Sequence, residues 1–170
     1  RGLGDVYKRQ ESSKIIIGIN WQGDLNHEKN NLKGRSMKLE NFKEIFKDLD
    51  VDLISLQKGY GSEQLKNCSF RERFLNCQEE INNTWSFSDT AAIILNCDLV
   101  ITIDSAVAHL SASLGQKTWV FLKKIPDWRW GLYGEDSFWY ESMKLYRQEK
   151  IEEWDTPLSK MKTDLKELLN

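Results

Sequence analysis

The chain has 170 residues; 24 Lys and Arg against 26 Asp and Glu leave a formal charge of -2, and 40% of residues are hydrophobic. A chain of this length buries roughly 70% of the surface its unfolded form exposes, so one soluble domain needs neither disulfides nor metal to hold a core. The near-neutral balance, a pI of about 5.8 and the lack of any Lys/Arg cluster exclude nucleic acid as the main partner. No apolar run approaches the ~20 residues of a membrane span and no signal-peptide pattern opens the chain, so the sequence reads as cytoplasmic.

Cys68, Cys77 and Cys97 are odd in number and form no C-x-x-C pair, which fits reduced structural thiols. With His27 and His109 the sole imidazoles, no histidine-rich metal site is expected. Arg1 to Gln10 carries no period, and Asp5 to Gln10 reads like a translated adaptor end, so the fold is assigned to residues 11–170. On that reading the native protein continues upstream and this chain is its C-terminal piece.

From Lys14 onward short apolar runs alternate with helical patterns, the signature of an α/β fold: a Rossmann-like parallel sheet with helices on both faces. Ile15 to Ile19 is β-branched without polar alternation, as in a strand buried on both faces. Leu39, Phe42, Ile45, Phe46 and Leu49 then recur at spacings of three and four, predicting an amphipathic helix. Val51 to Leu56 is the second strand, and the turn Gln57 to Gly61 follows, with Ser62 expected to cap a short helix. Residues 66–87 predict one short strand and loops. An acid-capped helix from Ser88 to Leu95 leads to a strand over Asp98 to Ile103, a helix over Ala106 to Leu114 stopped by Gly115, and a strand over Thr118 to Leu122. Pro126 to Tyr140 reads as an aromatic loop, and a last helix runs from about Pro157 to Leu169 with Leu158, Met161, Leu165 and Leu168 on one face.

Ligands of open parallel sheets bind where strands end and helices begin, which selects the loops Asn20 to Arg35, Gln57 to Gly61 and Asp104 to His109. In the third, Ser105 and Ala106 are small residues in a first helical turn, where free N–H groups suit a phosphate, and His109 lies one turn further on. The same residues also fit a plain cap and an interior histidine. Gln57 and Lys58 offer a donor and a cation, although Lys58 equally fits a solvated turn. Gly59-Tyr60-Gly61 begins a dinucleotide fingerprint that Gln64 does not complete. The segment Pro126 to Tyr140 holds three of the seven tryptophans; Trp119 and Trp154 are assigned to packing, while Trp128 and Trp130 fit either packing or stacking on a planar or sugar ligand, with Arg129 pairing an anion.

Six motifs in order, Gly18 to Gly23, Arg35-Ser36, Ser55 to Gly59, Asp89 to Ala92, Asp98 to Leu110 and Pro126 to Trp130, resemble the C-terminal half of bacterial heptosyltransferase-like glycosyltransferases, above all those linked to tetratricopeptide repeats. The match covers nearly all of residues 14–165. The resemblance implies a GT-B enzyme of two Rossmann-like domains, of which this chain is the second. It implies a nucleoside-diphosphate sugar as donor substrate, no cofactor and no metal, with an acceptor glycan or protein. Asp104, Ser105, Ala106 and His109 are expected on the diphosphate, His109 stabilising the leaving group. Gln57 and Lys58 are expected beside them, with Trp21, Gly23 and Arg35 facing the cleft. The general base belongs to the N-terminal domain, so little or no transferase activity is expected of this chain alone. Two other readings fit the same residues: a stand-alone nucleotide-binding module, and a protein-interaction domain using the tryptophan-rich surface.

Overall fold

The computed structural model describes residues 14–169 apart from 25, 27, 29–33 and 85; the segment Arg1 to Gln10 and His27 lie outside the described residues. Five parallel strands form one sheet in the order β2-β1-β3-β4-β5, with β1 Ile15–Ile19, β2 Val51–Ser55, β3 Leu99–Ile103, β4 Thr118–Leu122 and β5 Met143–Arg147. The helices are α1 Lys43–Phe46, α2 Gln78–Asn82, α3 Phe87–Ile94, α4 Ala106–Ser113 and α5 Asp155–Leu169. This is the expected Rossmann-like α/β class.

Alternation along the strands divides the core between two layers. Leu99, Ile101 and Ile103 of β3 and Trp119 and Phe121 of β4 face the layer of α1 and α5, where Phe42, Phe46, Met161 and Leu165 close over them. Val100 faces Ile93 and Ile94 of α3, while Val120 and Leu122 face Ala108 and Ala112 of α4. Every residue of β3 and β4 is buried, which explains why these strands carry no polar alternation. Each large aliphatic side chain so buried contributes about 1.5–3 kcal/mol.

Several boundaries differ from expectation. The helix predicted from Leu39 to Leu49 is a 3-10 turn, Leu39–Phe42, running into the short α1; Asp48, with φ of 67°, turns the chain out of helical geometry. Ser62 does not cap a helix: its hydroxyl donates to the Gly59 carbonyl at 2.7 Å, and Gly61 holds the cap position. Residues 66–87 hold α2 and a 3-10 turn, Arg71–Arg73, and the predicted strand is reduced to one bridge between Leu53 and Phe74. The cap of α3 is Ser86, whose Oγ accepts from the Asp89 amide. Leu168 is 40% exposed, and Leu169 packs on the core in its place. The fifth strand is new. Its Lys144 and Arg147 disguise it: Lys144 is neutralised by Asp164 at 2.8 Å, while Met143, Leu145 and Tyr146 are buried. Cys68, Cys77 and Cys97 form no disulfide and are buried, as expected, and burial pushes the Cys97 thiol up to about 12. Among the described residues no helix is long and apolar enough to cross a membrane.

Candidate functional site

The C-terminal ends of β1, β2 and β3 open on a cleft of about 750 Å3. β2 and β3 flank β1 on opposite sides, so the loops after β1 and β3 diverge and leave the crevice that such sheets use for ligands.

A buried polar network forms its floor. Asn20, just past β1, donates from Nδ2 to Gln57 Oε1 at 2.8 Å, while its Oδ1 accepts from Ser105 Oγ at 2.9 Å and Thr102 Oγ1 at 3.1 Å. Gln57 Oε1 also accepts from the amide N–H of Gln22 at 2.9 Å, and its Nε2 donates to the carbonyls of Gln22 at 3.0 Å and Tyr60 at 2.7 Å. The Gln57 amide is therefore committed to tying the β1 and β2 loops together. Gly61 permits their approach: its φ is 90°, and a Cβ would stand 2.9 Å from Gln22 Oε1.

The network has a consequence for α4. Ser105 occupies the cap position but makes no side-chain cap bond; its hydroxyl is instead turned across the sheet and donates to Asn20 Oδ1. The first amides of α4 therefore have no side-chain acceptor, and Ser105, Ala106 and Val107 line the cleft. Free N–H groups at the positive end of a helix favour an anion there.

Two cations face the same space. Lys58 Nζ donates to Thr90 Oγ1 at 2.7 Å; burial lowers its pKa, with Asp89 acting in the opposite direction. Arg35 donates from Nη1 to the Asp104 carbonyl at 3.1 Å and pairs with Glu28 at 3.3 Å. Gly23 makes room for it, since a Cβ there would lie 2.5 Å from Arg35 Nη2. Tyr60 and Phe87, each 65% exposed, stand in the cleft wall.

Of the expected site residues, Gly23, Arg35, Gln57, Lys58, Ser105 and Ala106 line this cleft. Trp21, expected to face it, is wholly buried beneath the loop, its Nε1 donating to the Gly61 carbonyl at 3.2 Å. Asp104 is half-buried and offers its backbone carbonyl to Arg35. His109 and Arg129 lie outside the lining. His109 faces the aromatic loop, stacked on Trp130 with centroids 5.0 Å apart, its Nδ1 3.2 Å from Tyr140 Oη. Burial lowers its pKa; Asp104 and Asp127 oppose that shift, and Arg129 adds to it. Arg129 pairs with Asp127 at 3.3 Å. Trp128 and Trp130 divide between the two readings: Trp130 is buried and Trp128 is exposed. Asn20 and Tyr60 fall in loops the sequence selects without being singled out there, and Phe87 and Thr90 lie outside those loops. Thr90 lies within the Asp89 to Ala92 motif, which was its available signal.

The fold defines a Rossmann-like α/β domain with a cleft at the C-terminal ends of its first three strands. Two solved structures share the fold. A glycosyl transferase family 9 protein from Veillonella parvula superposes with a TM-score of 0.58 at 14% identity, covering 86% of this chain and 38% of that one. The ADP-heptose LPS heptosyltransferase II of E. coli superposes with a TM-score of 0.64 at 15% identity, covering 98% of this chain and 50% of that one. This chain thus spans half the length of these proteins or less. No family model and no curated protein sequence matches it.

Proposed function

We propose that the cleft binds the diphosphate of a nucleoside-diphosphate sugar and that the chain is the donor-binding half of a GT-B glycosyltransferase. The carrying observation is the convergence of three positive groups on one crevice: the uncapped amides of α4, Lys58 and Arg35. The likeness in fold to two glycosyltransferases supports the reading. Transfer of the sugar breaks its bond to the diphosphate, whose oxygens gain charge as they leave. Preorganised N–H groups and cations stabilise that charge, which places the catalytic force in electrostatics without requiring a metal. His109 stands outside the cleft lining, its Nδ1 3.2 Å from the Tyr140 hydroxyl with either atom able to donate, and it is given no part in holding the diphosphate. The general base comes from a second domain, and the acceptor is a glycan or a protein.

Amide spectra of the chain titrated with uridine, adenosine and guanosine diphosphates test the placement. The expected result is saturable shifts at Ala106, Val107 and Lys58; shifts confined to residues away from the cleft overturn it.

A further inference from the structure

The loop between β4 and β5 holds aromatic rings outward. Trp128 is 74% and Trp139 58% exposed, with centroids 6.4 Å apart and rings at 82°. Ring area left in water forgoes about 25 cal/mol per Å2 of burial, and adjoining exposed rings mark a contact surface.

These rings are held firmly. Asp127 Oδ1 accepts from the Arg129 amide at 3.1 Å, and the Arg129 carbonyl accepts from Trp139 Nε1 at 2.9 Å. From β5, Arg147 donates to the carbonyls of Trp130 at 2.6 Å, Gly131 at 3.0 Å and Gly134 at 2.7 Å. Much of the ordering that binding would require is therefore already in place. The Arg129 guanidinium lies over one face of the Trp128 ring, 5.4 Å from its centre, and pairs with Asp127 at 3.3 Å, so a donor and an acceptor stand beside a ring that is still 74% exposed. Flat π faces bordered by an ionised donor and acceptor match a pyranose: its positively polarised C–H bonds meet the ring face, and its hydroxyls pair with the carboxylate and guanidinium. The patch is joined through α4 to the cleft residue Ala106. His109, one helical turn past Ala106, stacks on Trp130 of the same turn, and Asp104, Asp127 and Arg129 all act on its charge.

We propose that Trp128 and Trp139, bordered by Asp127 and Arg129, form a platform that holds a pyranose ring of the acceptor. Its role as an acceptor subsite rests on the donor reading of the cleft, whereas sugar binding itself does not.

The test is a titration of the chain with maltose, lactose and N,N′-diacetylchitobiose, following the indole N–H resonances of Trp128 and Trp139, with nucleoside diphosphate binding measured in parallel. At least one disaccharide is expected to shift both resonances saturably. Trp128→Ala is expected to weaken that binding more than about tenfold, Trp128→Phe to retain it, and nucleotide binding to be unchanged in both variants. The platform is overturned when no disaccharide moves the indole signals, when Trp128→Ala leaves affinity intact, or when that variant instead abolishes self-association. Sugar binding without nucleotide binding sustains the platform and removes the donor reading; nucleotide binding without sugar binding does the reverse.

Discussion

Gln57 serves the site chiefly by holding its loops. Its side chain satisfies the Asn20 amide, the Gln22 N–H and the carbonyls of Gln22 and Tyr60. Each buried polar group left without a partner costs about 1–3 kcal/mol. Gln57→Ala is therefore expected to lose roughly 3 kcal/mol or more in urea unfolding, and a loss below about 1 kcal/mol contradicts the clamp. The sequence shows a polar residue at a strand end, but its partners at Asn20 and Gln22 lie 37 and 35 positions away, so its role becomes visible only in the fold. His109 carries a pH signature. Its ordinary pKa is 6.5 and burial lowers it in the folded chain, so between those two values the unfolded chain binds more protons. Its contribution to stability is complete above pH 6.5 and is lost as pH falls through the folded value. His109→Gln should remove that slope; an unchanged pH dependence of unfolding contradicts it.

Among the elements, β1 to β4 were legible because strands buried on both faces are largely apolar with no regular polar alternation, Asp52, Ser55, Thr102 and Thr118 being the polar exceptions. Strand β5 was not, because Lys144 serves Asp164 and Arg147 serves the loop carbonyls, and both read as surface residues. Arg147→Ala is expected to raise amide exchange across residues 130–134 while the β4 amides remain protected; unchanged exchange in the loop contradicts the clamp. Ser86 caps α3, next to the cleft residue Phe87, by accepting from the Asp89 amide at 3.2 Å. Ser86→Ala should cost about 1 kcal/mol in thermal or urea unfolding, and no loss contradicts the assignment. The cap of α4 teaches the opposite lesson. Ser105 has the residue type of a cap, but its hydroxyl bonds across the sheet, and the helix start is left open to a ligand.

At the scale of the whole molecule, the parallel sheet and the loops that line its cleft follow from one sequence pattern, whereas the strand order is seen only in the fold and the aromatic platform depends on Arg147 reaching back from the last strand. The three positive groups come from segments after β1, β2 and β3 that only the parallel sheet brings together. The burial that lowers the Lys58 pKa gives a further expectation. An anion at Nζ favours the charged form, so binding takes up a proton as pH nears the lowered value, and affinity falls with rising pH earlier than an ordinary lysine would cause. The most direct measurement is calorimetric titration of the chain and of Lys58→Ala with uridine, adenosine and guanosine diphosphates. The expected result is binding of one diphosphate that the substitution weakens more than about tenfold, or ~1.4 kcal/mol. A folded chain that binds none of the three, or binds one with unchanged affinity after the substitution, contradicts the assignment of the cleft as a donor site.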